Sequence, residues 1–430
     1  MKLQAQMGGP QTTPPGTERM VTPKTDLRRL LFIGTLDVAP TYGGPIQFHR
    51  HFIERRDFEF RKLIEPSQPR LANLRTGLTS MDRVIDRASR TRLFPHFAAL
   101  NEWLSVRKAV RRLLPEALAF RPHAIVTVAF GAYGFAAAHV AERLNVPLIT
   151  FFHDWWPDLA LGSRIGIRAF DWRMRWLYRQ SDLALCVCDE MKEELGPHPN
   201  ARTLYPIPAV RRDSAAQIEF RTRPKLIYLG GMTRGYGRML AALTRAYAIA
   251  PGVRPWELAI FGDTRDWPVE DVAQATHSGI YRASCYGDTA HNEMAKADIC
   301  LVVMNFESAT RRRVRTSFPS KLLEYCAYGK PVIAWAPEYS SIAGFASNMQ
   351  FPFLHSKPDV QSFVERVDEF VREPARMLQN ATFSRKFGEN MFSAEHVHAE
   401  LVTLMNRVIE ERDRTALSDN VEDRVFTRTI

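Results

Sequence analysis

The stretch Ser317-Phe318-Pro319-Ser320-Lys321-Leu322-Leu323-Glu324-Tyr325, continuing Cys326-Ala327-Tyr328-Gly329-Lys330-Pro331-Val332-Ile333-Ala334, reads as a turn, a short helix, a glycine stop and the apolar start of a strand. Pro319 suits the turn or the first helical position, where its missing N–H costs nothing. Gly329-Lys330-Pro331 closes the helix and launches the apolar run. The helix N-terminus offers backbone N–H groups at Ser320 and Lys321, and its dipole favours a phosphate there. Glu324 lies four residues after Ser320 on the same face. A carboxylate in that place can accept two hydrogen bonds from a vicinal diol. Phosphate at the tip and diol one turn on describe a nucleoside diphosphate. By spacing alone, a surface helix with a Ser cap and a solvated Glu324 fits equally.

Outward from this unit, strand and helix patterns alternate in two series. The series that contains it has strands at 225–229, 256–261, 281–286, 298–304 and 350–354, with helices at 239–250, 291–297, 358–378 and 394–412. Its first strand runs into Gly230-Gly231-Met232-Thr233-Arg234-Gly235-Tyr236-Gly237-Arg238, a loop rich in glycine and arginine. The earlier series has strands at 30–34, 58–64, 124–128, 147–152, 182–187 and 202–207, with helices at 46–56, 101–118, 135–144, 164–180 and 189–195. Its first strand is followed by Gly43-Gly44-Pro45 and a helix, the opening of a nucleotide-binding βαβ unit. Without GxGxxG, a plain turn fits as well as close approach of a phosphate. The strand at 147–152 ends on His153-Asp154-Trp155-Trp156-Pro157-Asp158. Polar residues at the carboxyl end of a parallel strand sit where open α/β sheets bind ligands. Two Trp and two Asp in one loop favour function over capping.

Two such series predict an α/β protein of two Rossmann-like, doubly wound domains facing each other across a cleft. The expected organisation is a disordered leader at 1–26, a first Rossmann-like domain at 27–210, a linker at 211–223, a second Rossmann-like domain at 224–392, a C-terminal helix at 393–412 that packs back, and a polar tail at 413–430.

Composition narrows the partners. The 430 residues are 45% hydrophobic, with no run approaching a membrane span and no secretory signal. None of the five cysteines forms a CxxC pair, which favours a reducing cytosol over structural zinc. The net charge of +11 fits nucleic acid, anionic membrane or phosphorylated substrates. Positive charge gathers at 83–112 and at 164–180, where Arg164, Arg168, Arg173, Arg175 and Arg179 interleave with Phe170, Trp172, Trp176 and Tyr178. The second segment is either a membrane-surface helix or a core helix with a solvated arginine face.

On these residues the chain resembles the glycosyltransferases of GT-B fold, most closely the retaining family four, over about residues 30–412. The run FPSKLLEYCAYGKPVIA looks like that family's donor-binding signature. YLGG, AIFGD and YGDTAHNEMAKADICLV support it in the second domain, and GG and HDWWP in the first. The resemblance implies that Ser320, Lys321 and the amide of Leu322 hold the donor diphosphate and that Glu324 takes the ribose hydroxyls. Arg234 stands at the basic phosphate position, with Arg238 beside it and Gly231 in the loop. Residues 285–288, Gly287 among them, lie against the nucleobase; Gly43 and Gly44 approach the phosphate; His153 contacts the donor sugar. Two positions depart from the pattern. Thr316 stands where a second glutamate is expected eight residues before Glu324, and Glu307 is seventeen before it, with Arg311, Arg312, Arg313 and Arg315 between. Gly231 stands where arginine is common.

The expected activity is transfer of a sugar from a nucleotide-diphosphate sugar to a hydroxyl acceptor, retaining and metal-independent, in bacterial-type surface or extracellular polysaccharide synthesis. Lys321, Arg234, the helix amides and the arginine-bearing loop stabilise the leaving diphosphate. The chain has no Asp-x-Asp pair for a metal. No cofactor beyond the donor substrate is expected. Partners are a nucleotide sugar, a carbohydrate or lipid-linked acceptor and an anionic membrane surface, at the inner face of the membrane in the cytoplasm. Nucleic acid explains the charge but not the diphosphate-and-diol constellation. The missing upstream glutamate motivates the alternative, a catalytically silent nucleotide-sugar or polyanion binder. A nicotinamide oxidoreductase needs GxGxxG with a downstream acid, and neither is in place.

Overall fold

Strands buried on both faces need continuous apolar side chains, and the chain supplies them twice. The computed structural model describes residues 27–41, 43–66, 94–159, 164–209, 219–232, 235–249, 252–264 and 266–426. The first domain runs β1 (Arg29–Gly34), α1 (Gly44–Phe52), β2 (Glu59–Ile64), α2 (Phe94–Phe120), β3 (Ala124–Val128), α3 (Gly131–Leu144), β4 (Leu148–Phe152), a 3-10 turn (Trp156–Leu159), α4 (Arg164–Gln180), β5 (Leu183–Cys186), α5 (Asp189–Leu195) and β6 (Ala201–Thr203). Its six strands are parallel in the order β2-β1-β3-β4-β5-β6. The central strands AIVTV and LITFF are buried throughout, whereas the edge strand EFRKLI is not.

The second domain runs β7 (Lys225–Leu229), α6 (Tyr236–Ala248), β8 (Glu257–Gly262), α7 (Val269–His277), β9 (Tyr281–Ala283), α8 (Gly287–Ala295), β10 (Ile299–Val303), a 3-10 turn (Ser308–Thr310), α9 (Arg311–Thr316), α10 (Ser320–Ala327), β11 (Val332–Trp335), α11 (Ser341–Met349), β12 (Leu354–His355), α12 (Val360–Val371), α13 (Pro374–Glu389) and α14 (Ala394–Phe426). Its parallel order is β12-β11-β10-β7-β8-β9. Counted from its own first strand this is the doubly wound order 3-2-1-4-5-6, with the switch point between β7 and β10. Ligands of such sheets bind outside the strand carboxyl ends at the switch point.

Several boundaries differ from the sequence expectation. The strand expected to reach 286 stops at Ala283, because Gly287 turns with φ +56 and opens α8 four residues before the expected start at 291. The helix expected over 358–378 is two helices, since Pro374 begins a new one. Helix α14 continues to Phe426, into the residues read as a tail. The leader and residues 83–93 of the basic segment lie outside the described residues, as does most of the linker.

The two domains share packing. Val397, Leu401, Met405 and Val408 put one face of α14 against Leu30, Phe32 and Phe48 of the first domain. Tyr205 packs on Phe318 with ring centres 4.8 Å apart and on Phe392 at 5.3 Å. The arginine segment adds a charged joint. Arg312 donates to Asp158 at 2.5 Å and to Asp171 at 3.1 Å, and its guanidinium lies 4.8 Å from the Trp155 ring centre. Arg315 reaches Glu193 at 2.7 Å and Glu194 at 2.8 Å. This corrects the expectation that the segment faces the diphosphate. Residues 311–316 fold as α9, and two of its arginines are consumed by carboxylates of the first domain. It also reassigns the Trp-rich loop: Trp155 and Trp156 are buried, and Asp158 belongs to the joint.

Arg312→Ala leaves the mostly buried Asp158 carboxylate without its cation, while Asp171 keeps Arg175 at 3.1 Å. It should destabilise the fold by about 1–3 kcal/mol, less than for a fully buried pair because solvent screens part of the interaction. Urea unfolding in low and high salt checks this, with a smaller loss expected in high salt. An unchanged midpoint would remove the joint from the forces that hold the domains together.

Candidate active site

The site is built where β7 ends. After Leu229 the chain turns at Gly230, whose φ of +146 favours glycine. A Cβ on Gly230 would meet Lys321 Cε at 2.0 Å, so the lysine side chain lies directly against the turn. Tyr228 is buried beneath; its hydroxyl donates to the Gly231 carbonyl at 2.6 Å, and Lys321 Nζ sits 5.1 Å from its ring centre. Tyr325 rivets α10 to the same strand end: its hydroxyl accepts from the Leu229 amide at 3.1 Å and lies 3.3 Å from the Leu229 carbonyl. Gly235, φ +86, opens α6 where a Cβ would strike the Asn305 side chain at 2.3 Å, and its N–H donates to Asp266 at 2.8 Å. The glycine loop, Asn305 after β10 and Lys321 on α10 therefore converge at the switch point.

At the start of α10, Ser320 is exposed and Leu322 is buried. The Leu322 amide donates to the Pro319 carbonyl at 2.9 Å. That tight first turn uses the amide expected to hold phosphate, leaving Ser320 and Lys321 as the phosphate-facing candidates on this helix. Thr316 is fully buried and its hydroxyl donates to the Arg312 carbonyl at 2.9 Å, so the position of the expected second glutamate faces its own helix. Glu307 lies beyond β10, 2.6 Å from Arg238, which is thereby turned to an exposed ion pair. Gly231 is exposed, Gly287 lies past the carboxyl end of β9, and Arg234 falls outside the described residues.

The first domain supplies the opposite wall. Gly43 takes φ +76, and Gly44-Pro45 begins α1. Phe48 of that helix stacks on His153, ring centres 5.4 Å apart, and Phe151 meets the same ring edge-on at 5.6 Å. Asp154 accepts from the Ser317 hydroxyl at 2.9 Å, which ties the His153 loop to the turn before α10. Glu324 accepts from Arg50 of α1 at 2.5 Å. Sequence reasoning missed Gly230, Asn305 and Arg50. Gly230 is half of a visible glycine doublet, but its backbone angle has no sequence signature, and Arg50 is separated from Glu324 by 274 residues.

Residues 64–206 match the family described as Glycosyl transferase 4-like domain, which falls in the first of the two domains. The architecture also matches sucrose-phosphate synthase from Thermosynechococcus elongatus at TM-score 0.59 and 13% identity, covering 89% of this chain and 100% of that one. The chain has the GT-B fold, and its first domain matches a glycosyltransferase domain family. HepE of Anabaena is similar at TM-score 0.54 and 11% identity over 89% of this chain and 100% of its own. The lipopolysaccharide outer core galactosyltransferase WaaB is similar at TM-score 0.54 and 14% identity over 89% and 99%. At these identities the likeness is one of fold. No curated protein matches the chain.

Electrostatics distinguish the groups of this site. Burial among Phe48 and Phe151 pushes His153 down to about 4, against the pull of Asp154. His153 is therefore neutral near pH 7 and offers a hydrogen bond rather than a charge. The thiols are poor nucleophiles: burial pushes Cys186 and Cys326 up to about 12 and raises Cys188 and Cys300 as well. Among the described residues no group of three or more His, Cys, Asp or Glu is arranged to hold a metal, and no helix is long and apolar enough to cross a membrane.

His51 and His398 are likewise pushed down by burial. Their rings meet at Nδ1, 3.1 Å apart, between α1 and α14. With folded values below the unfolded one, the unfolded chain binds more protons as pH falls. The stability these histidines carry is therefore fully present above about pH 6.5 and lost progressively toward pH 4. Urea midpoints from pH 8 to 4.5 should fall on the acid side, and His153→Asn should flatten part of that fall. A midpoint independent of pH across the interval would contradict the burial of these rings.

Proposed function

We propose that this protein is a glycosyltransferase that moves a sugar from a nucleoside-diphosphate sugar to a hydroxyl acceptor, with retention and without a metal. The observation that carries the reading is Lys321, laid against the Gly230 turn at the switch point of the second domain. The anomeric carbon–oxygen bond breaks and charge gathers on the leaving diphosphate. The Lys321 ammonium, the start of α10 and Arg234 stabilise that charge. Neutral His153 holds a hydroxyl of the donor sugar, and Glu324 holds the ribose. With no nucleophile assigned for a double displacement, the acceptor oxygen attacks from the face the diphosphate leaves, and its proton passes to the departing phosphate oxygen. HepE, similar in fold, forms complexes with UDP, with UDP-glucose and with UDP and glucose. That supports uridine donors as the first to try.

A thermal-shift panel of nucleotide sugars, followed by transfer of labelled sugar, tests the reading. Binding without turnover across donors and acceptors would instead favour the silent binder. For the acceptor we propose a lipid-linked or growing polysaccharide at an anionic membrane face. Arg107, Lys108, Arg111 and Arg112 of α2 are exposed, as are Arg168 and Arg179 of α4, and Trp172 of α4 is 60% exposed. Other arginines of α4 are held within the protein: Arg173 is buried over the Phe135 ring at 4.0 Å, and Arg175 pairs with Asp171 at 3.1 Å. Flotation with anionic liposomes at low salt should carry the protein, and Trp172→Ala should reduce the bound fraction severalfold. No flotation at low salt would exclude the membrane face.

A further inference from the structure

Both oxygens of the Glu324 carboxylate are engaged from across the cleft. Oε1 accepts from Arg50 Nη1 at 2.5 Å, and Oε2 accepts from the Ala209 amide at 3.3 Å. The same Arg50 nitrogen donates to the Ile207 carbonyl at 2.8 Å. Helix α1, the chain leaving the first domain and helix α10 thus meet on one carboxylate. The Arg50 side chain is 13% exposed and that of Glu324 30%, so water screens the pair less than it does a surface ion pair. A vicinal diol that bridges the two oxygens must come to the edge these donors hold.

We infer that Arg50 competes with the donor for Glu324: the ribose diol binds by displacing the Arg50 guanidinium and the Ala209 amide. This rests on the ribose reading of Glu324 given above. Arg50 is then a positioning residue that holds the carboxylate in place and lowers apparent donor affinity, because only the fraction of molecules with Glu324 released can bind. Displacement also cuts a tie between α1, the interdomain chain and α10, while the Arg312 and Arg315 joint stays made. Donor binding is in this way coupled to loosening of one interdomain contact and not the other.

The test is calorimetric titration of the full chain with UDP, GDP and ADP, using whichever binds most tightly. Arg50→Gln should tighten binding about tenfold, and Arg50→Lys, which keeps the charge on a shorter chain without the guanidinium geometry, should fall between it and the native protein. Glu324→Ala should weaken binding about tenfold or more. In the Glu324→Ala background, Arg50→Gln should change nothing, since the pair is already gone. Unchanged or weaker binding by Arg50→Gln, with Glu324→Ala still weakened, overturns the competition and leaves the ribose reading standing. Native affinity in Glu324→Ala overturns the ribose reading itself. If Arg50→Gln fails to fold in a thermal melt, Arg50→Lys carries the comparison: tighter binding supports displacement, and equal or weaker binding refutes it.

Discussion

Lys321→Ala should lower kcat for sugar transfer by about a hundred- to a thousandfold, the loss typical of one pre-positioned group that stabilises developing negative charge. The donor KM should move much less, because the ammonium matters most when the bond to the diphosphate breaks. The geometry explains why one residue carries so much. Lys321 is the second residue of α10, and Tyr325 holds that helix to the end of β7 through the Leu229 amide. The side chain is pressed over Gly230 and the Tyr228 ring, so the charge is placed before the donor arrives. Lys321→Arg should rescue only partly, because a planar guanidinium does not fit against the turn as a lysine chain does. Initial rates with labelled nucleotide sugars decide the matter. Native turnover in Lys321→Ala would remove this lysine from the chemistry.

Gly230→Ala should abolish most of the activity by a different route. The new methyl needs the place held by Lys321 Cε, 2.0 Å from the ideal Cβ, and the lysine is the part that can move. Its charge would swing off the switch point. The backbone adds a cost, since φ +146 is a conformation that L side chains rarely adopt, and strain of about 1–3 kcal/mol is expected from it. Turnover and urea stability should therefore both fall, turnover by far the more. Gly231→Ala is the control for the neighbouring residue: its Cβ meets open space, and the effect should be much milder. Equal losses in the two variants would show that loop flexibility, not the close approach of Lys321, is what matters at this doublet.

The sequence made some of this plain and hid the rest for identifiable reasons. The parallel sheets were legible because strands such as Ile299–Val303 and Val332–Trp335 are buried along their whole length and read as unbroken apolar runs. The start of α10 was legible because proline, serine and a following helix pattern are local signals. Helices α9 and α11 were not, since each is short, and α9 is written in arginines whose role comes from outside the segment. The strand at β9 was overdrawn because Cys285 and Tyr286 extend the apolar look while Gly287 ends it.

Within the site, the sequence alone identified the residue types that can hold a diphosphate and a diol, and it set Ser320, Lys321 and Glu324 at helical spacing. Helical spacing is local, so no tertiary information was needed. Only the tertiary structure decided what those groups touch. Lys321 meets Gly230, Glu324 meets Arg50, Arg312 meets Asp158 and Ser317 meets Asp154. In the last three pairs the partners are 274, 154 and 163 residues apart. At such separations nothing in the local pattern selects one carboxylate over another. The choice is made by how two sheets and their loops close on each other, where proximity and desolvation set which charges pair.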